Sequence, residues 1–142
     1  AARRSPHFSL RAYPYVLYDL VLYIPRMLMN VNGRGVAAAR AVYPDIALTD
    51  TLLVHDELQR AFGKVSFKHR GSAAGHNGVK SVQHHLGNDV PRIRIGIDRP
   101  LDGNVSAYVL GSMPPDWLET CAHGEVLERL WSTLQTWCLS RT

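Results

Sequence analysis

The chain has 142 residues, of which 46% are hydrophobic and 20% charged, and it carries a net charge of +4. This is the balance of an ordinary globular domain with enough length for a real core. It excludes a disulfide scaffold or a CxxC zinc site, because Cys121 and Cys138 are the only cysteines; it also excludes a helical membrane span, because no apolar run approaches about 18 residues. A reducing compartment is the default expectation.

In chain order, residues 1–12 read as a basic N-terminal arm and 13–142 as one domain. The segment AARRSPHFSLR holds three arginines and no acid, which suits either the remnant of an arginine-rich transit peptide or an arm lying on RNA. Residues 13–24, rich in Tyr, Val, Leu and Ile, predict a strand ended by Pro25. Residues 26–32 are a connector. The alanine-rich segment 33–42 predicts a helix with Asn32 as its N-cap, stopped at Pro44-Asp45. Residues 51–55 predict a short strand with Asp56 immediately after it, and strand ends are where α/β sheets collect ligand-binding groups. Residues 64–68 (KVSFK) alternate as a strand. A small, flexible loop over 70–78 follows, then a helix over 77–86 ending at Gly87-Asn88. The strict alternation of RIRIGI, 92–97, predicts a half-buried strand. A turn-rich loop covers 98–104, and 105–110 is a short helix or a last strand segment. Pro114-Pro115-Asp116 opens a C-terminal helix carrying both cysteines. Its stripe of Leu118, Val126, Leu127, Leu130, Trp131, Leu134 and Trp137 is expected to be core. Alternating strands and helices make the fold class α/β, a single three-layer domain.

Asp56 has two readings: a strand-end carboxylate that caps or pairs, or an orienter that accepts one ring N–H of a histidine and fixes its tautomer. His76-Asn77 lies between Gly75 and Gly78, which let the backbone approach a ligand. Asn77 is either a helix cap or an amide that holds a water or a carbonyl oxygen. Backbone N–H groups at that helix start could also receive a phosphate or a developing negative charge. Asn30 and Asn32 are either caps or amides turned toward the same site. His55 points away from Asp56 on a strand. His84-His85 is not a metal pair, since adjacent helical residues do not face each other and no further ligand lies at suitable spacing. Between Lys64 and Arg99, seven Lys and Arg stand against two Asp. That excess suits either a solvated face or a polyanion.

Taken together, LMNVNG at 28–33, LLVHDEL at 52–58, GSAAGHNGVKSV at 71–82, PRIRIGIDRP at 91–100 and YVLG at 108–111 resemble the bacterial-type peptidyl-tRNA hydrolase family over residues 15–115. The resemblance implies a single α/β domain with a twisted mixed sheet. It also implies hydrolysis of the ester joining a peptide to the 3′ ribose of tRNA, with no metal and no cofactor. By resemblance, Asp56, Asn77 and Asn30 are the catalytic residues: Asp56 orients a catalytic histidine, Asn77 holds the attacking water or the oxyanion, and Asn30 contacts the substrate near the ester. His76, Gly75 and Gly78 line the substrate, and Lys68, Arg70 and Lys80 grip the tRNA acceptor end.

The chain departs from the family pattern in one respect that bears on chemistry. The family's first strand, its G-L-G-N-P-G loop and the T-R-H-N segment carrying the base have no counterpart in these residues. His7 lies only 23 residues before Asn30, too close for the family spacing. Gln59 stands where the family has a second acid, and Ser72, Ala73 and Ala74 make the loop less glycine-rich. Losing a general base costs roughly 10²- to 10⁴-fold in rate, and losing a central strand exposes sheet edges that seek a partner. Two functions are therefore expected. One is a peptidyl-tRNA hydrolase-like protein acting where a base is supplied. The other is a catalytically silent member serving as a structural or assembly component of the mitochondrial large ribosomal subunit. A role in intron splicing is a third. The expected partners are tRNA or rRNA, with mitochondrial ribosomal or assembly proteins covering the incomplete sheet, and no membrane. LMNVNGRGV resembles eukaryotic organellar members, so the expected location is mitochondrial, otherwise cytoplasmic.

Overall fold

A computed structural model describes residues 7–11 and 17–141. The expectations for residues 1–6 and 12–16 lie outside the described residues. The chain divides into two compact units, one of residues 1–51, 70–90 and 138–142, the other of 52–69 and 91–137.

In the first unit, β1 (His7–Arg11) pairs antiparallel with β2 (Leu17–Val21), Phe8 opposite Leu20 and Leu10 opposite Tyr18. The segment expected to be a basic arm thus contains a strand; its Phe8–Leu10 alternation is the signal that the arginines obscured. The strand expected up to Ile24 stops at Val21, and Ile24 is 83% exposed. After a 3-10 turn, Met29–Val31, come α1 (Asn32–Val42) and α2 (Asn77–Leu86). Asn32 is the first helical residue of α1. Val31 occupies the cap position and provides no side-chain bond there.

The two helices meet through their backbones. The Gly33 N–H donates to Ser81 Oγ at 2.9 Å, and a Cβ at Gly33 would collide with the Ser81 carbonyl and lie 2.8 Å from His85 Nδ1. Val79 and Val82, three apart, are buried along one stripe of α2. The helix ends at Gly87, whose φ of 84° lies in the left-handed region that glycine favours.

The second unit holds a mixed sheet ordered β3 (Leu53–Glu57), β5 (Arg92–Gly96), β4 (Val65–Lys68). β3 runs parallel to β5 and β4 antiparallel. Parallel pairing carries β3 two residues past its expected end, so Asp56 lies within the strand, opposite Ile95, rather than after it. β5 was expected to be half-buried. It is the central strand, and both Ile93 and the neighbouring Arg92 are buried. Desolvation holds the Arg92 guanidinium below its ordinary pKa, reinforced by Arg94 and opposed by Glu57.

Residues 105–110 resolve as a helix, α3 (Val105–Leu110), capped by Asn104 Oδ1 accepting from the Ala107 N–H at 3.2 Å. The Tyr108 hydroxyl donates to the Ile97 carbonyl. The single C-terminal helix of the sequence reading is two, α4 (Pro115–His123) and α5 (Glu125–Leu139), broken at Gly124. Phe62 stacks on Trp117 of α4 at 3.8 Å. The apolar stripe is only partly core. Val126 and Trp137 are buried, whereas Leu118, Leu127 and Trp131 stand 58%, 40% and 43% exposed. Among the described residues no helix is long and apolar enough to cross a membrane.

Two outcomes follow. Gly33→Ala should cost about 1–3 kcal/mol through overpacking, read as a lowered urea midpoint, because the added methyl group meets backbone rather than a side chain that can move. Burial pushes the Cys121 and Cys138 thiols up from their ordinary pKa. Both therefore stay protonated at neutral pH, and alkylation of the folded chain should be slower than that of the urea-unfolded chain.

Candidate functional site

The site of the first unit is built around the N-terminus of α2. The preceding loop is tied down at its start: the Gly71 N–H donates to the Asn88 carbonyl at 3.3 Å, and Gln83 Nε2 donates to the Gly71 carbonyl at 2.7 Å. Ala74 and Gly75 then take left-handed backbone angles, φ 49° and 89°. That conformation costs a residue with a Cβ about 1–2 kcal/mol. It turns the chain so that His76, not Asn77, becomes the cap of α2. His76 Nδ1 accepts from the Gly78 N–H at 3.1 Å and the Val79 N–H at 3.3 Å. A nitrogen that accepts two N–H bonds carries no hydrogen, so the ring hydrogen of neutral His76 sits on Nε2.

Two sequence expectations are corrected here. Asn77 does not cap the helix; it is the first helical residue and is exposed. Nor is the helix start an open anion site, because Gly78 and Val79 spend their N–H groups on His76, and Lys80 spends its own on the His76 carbonyl.

Gly78 marks where the 3-10 turn presses on α2. A Cβ there would lie 2.7 Å from Met29 Cγ and 3.2 Å from Asn32 Nδ2. Asn32 Oδ1 is buried without a hydrogen-bond partner among the described residues. Beside this contact opens a cleft of about 430 Å³ lined by Asn30 and Val31 of the turn, Arg34 of α1, and Asn77, Lys80, Ser81, His84 and His85 of α2. The cleft brings together Asn30, Asn77 and Lys80. Gly75, His76 and Gly78 belong to the adjoining loop and cap. Arg70 is exposed at the start of that loop and does not line the cleft.

Sequence reasoning missed Arg34, Ser81 and His84 as cleft residues. The signal was present in part: positions 77, 80, 81 and 84 recur at helical spacing on one face. The His84 and His85 rings meet edge to face at 5.2 Å. Among the described residues no group of three or more His, Cys, Asp or Glu is placed to hold a metal ion.

Asp56 and Lys68 belong to the second unit. Asp56 is half-buried within β3, and Lys68 ends β4 opposite Arg92. His55 Nδ1 donates to the Asp56 carbonyl at 2.6 Å, so its ring is turned to the backbone. This unit has its own cleft of about 380 Å³, lined by Glu57, Gln59, Arg60, Ala61, Lys64 and Arg94. Glu57 Oε1 accepts from the Gln59 N–H at 3.1 Å, and Glu57 Oε2 stands 4.0 Å from Arg94. Burial lowers the Arg94 pKa, the charge of Arg60 lowers it further, and Glu57 opposes both.

The cap can be tested directly. His76→Ala should cost about 1 kcal/mol, as loss of a helix cap does, read as a lowered urea midpoint. His76→Asn, whose side-chain oxygen can accept the same N–H groups, should recover most of it.

Comparison with known proteins bears on the whole arrangement. Among curated relatives, a peptidyl-tRNA hydrolase of Pelobacter propionicus is 44% identical over 70% of this chain and 51% of its own length. A probable peptidyl-tRNA hydrolase of Mus musculus is 48% identical over 69% of this chain and 48% of its own. The chain thus spans about half the length of the curated relatives it matches. The crystal structure of the Acinetobacter baumannii peptidyl-tRNA hydrolase superimposes with a TM-score of 0.66 at 28% identity, covering 84% of this chain and 64% of that one. The sequence model of the peptidyl-tRNA hydrolase family matches residues 8–141, and with it the α/β elements and the glycine loop find their relatives: the chain belongs to the peptidyl-tRNA hydrolase family.

Proposed function

We propose that the chain is a peptidyl-tRNA hydrolase-like protein of mitochondrial translation. In this reading residues 13–142 act as one domain that binds the tRNA acceptor end and hydrolyses the peptidyl-tRNA ester where a general base is supplied. The observation that carries the reading is the cleft lined together by two carboxamides, Asn30 and Asn77, and the ammonium of Lys80. Amides suit an ester and its oxyanion, and a cation beside them suits the phosphates of the same substrate.

In this reading water attacks the ester carbonyl carbon while its proton passes to the base. The carbonyl oxygen becomes an oxyanion that the Asn77 amide stabilises by donation, or Asn77 holds the water itself. Asn30 contacts the substrate beside the ester. Collapse breaks the bond to the ribose oxygen, which takes up the proton, leaving a free peptide carboxylate and a tRNA hydroxyl. Asp56 accepts a ring N–H of the histidine base and fixes its tautomer. Gly75, His76 and Gly78 line the peptide side, and Lys68, Arg70 and Lys80 hold tRNA phosphates. The reaction draws on no cofactor. The organellar placement is supported by LMNVNGRGV and by the arginines near the N-terminus.

A second reading is favoured by a specific observation. His76 Nδ1 is occupied as a helix cap and Nε2 bears the hydrogen, so this ring offers no free basic nitrogen. That suits a catalytically silent member that keeps RNA contacts as a structural or assembly component of the mitochondrial large ribosomal subunit.

Single-turnover hydrolysis of a peptidyl-tRNA separates the two. For the enzyme, Asn77→Ala should slow turnover about 10²- to 10³-fold and Asp56→Ala about 10²- to 10⁴-fold. A folded chain that binds tRNA without turning it over sinks the first reading, and co-sedimentation with large ribosomal subunits then supports the second.

A further inference from the structure

We infer that Arg34 is a phosphate-binding residue of the first unit's cleft, so that an RNA strand is held between α1 and α2 rather than along α2 alone. The inference rests on the reading that this cleft takes RNA. It adds a wall and a residue to that reading.

Position comes first. Arg34 follows Gly33, whose N–H is bonded to Ser81 Oγ and whose missing Cβ lets the α1 backbone lie against α2. That contact fixes Arg34 beside the face of α2 that carries Asn77 and Lys80, and all three line one cleft.

Charge comes second. Three other arginines serve the fold: Arg40 donates to the Ile46 carbonyl, Arg129 to the Gly63 carbonyl and Glu125, and Arg141 pairs with Asp50. Arg34 and Lys80 are exposed, their side chains have no hydrogen bond or ion pair among the described residues, and no carboxylate lines the cleft. Two cationic side chains lining one cleft with no carboxylate beside them favour an anion there.

Chemistry comes third. A guanidinium grips a phosphodiester through a two-toothed fork, whereas an ammonium acts as a point charge. The cleft, of about 430 Å³, falls within the size range of small-ligand sites. One nucleotide of a single strand therefore suits it better than a duplex, with the Asn30 and Asn77 amides available to ribose or base.

The test is tRNA binding titrated against KCl for the whole chain and for Arg34→Ala, Arg34→Lys, Lys80→Ala and Arg26→Ala. Arg26 is an exposed cation of the same unit outside the cleft. Arg34→Ala and Lys80→Ala should each weaken binding several-fold and reduce the salt slope by about 1. Arg34→Lys should restore the slope and only part of the affinity, and Arg26→Ala should change little. If Arg34→Ala matches the unsubstituted chain while Lys80→Ala weakens, RNA binding stands and the second wall falls. Equal losses from Arg26→Ala and Arg34→Ala mean a diffuse basic surface and overturn the inference. A folded chain that binds no tRNA at low salt overturns the RNA reading and this inference with it.

Discussion

The cleft depends on a contact between two backbones. Gly33 at the start of α1 lies against Ser81 in the middle of α2 with no room for a Cβ, and one hydrogen bond closes the gap. A second close approach, Met29 against Gly78, lies one turn nearer the start of α2. Positions 78, 81 and 85 therefore form the packing edge of α2, and 77, 80 and 84 form the neighbouring open edge. One ten-residue helix thus serves as partner for α1 and as floor of the cleft. Any side chain at 33 would push α1 away and move Arg34 and Asn30 with it.

Where structure follows from local pattern, the sequence was sufficient. The bounds of α2 follow from a glycine-flanked start and Gly87 as its stop, and β4 and β5 follow from alternation over short runs. Several misread features depend on distant residues or on the backbone at one position. β3 reaches Glu57 because parallel pairing with β5, 39 residues away in the chain, continues. The burial of Arg92 follows from the central place of β5, which alternation does not report. One glycine, Gly124, breaks what periodicity presents as a continuous helix. Preference scales rank Asn above His as a cap, yet the left-handed turn at Ala74-Gly75 brings His76 to the cap position first.

The site was legible to a similar degree. Asn30, Asn77 and Lys80 were named from the family resemblance, and the fold gathers them on one cleft. Arg34 was not, because its relation to Lys80 exists only through the crossing at Gly33. Nothing in the local sequence NGRGV distinguishes this arginine from any other exposed one.

His76 is where structure and chemistry compete for one nitrogen. Its Nδ1 holds two backbone N–H groups, a contact worth about 1 kcal/mol as helix caps go. Releasing it for use as a base would leave two first-turn donors to water, an energy comparable to a tenfold change in an equilibrium, which is about 1.4 kcal/mol. That is small beside the roughly 10²- to 10⁴-fold that a general base contributes. While the cap is intact, the remaining ring nitrogen of His76 is a donor rather than an acceptor. With Nδ1 held, Nε2–H is a donor, suited to a carbonyl or an oxyanion on the peptide side and unsuited to taking a proton from water. With the cap intact, a hydrolase built on this loop would draw its base from another residue, and Asp56 would have an orienting role only if that residue were a histidine.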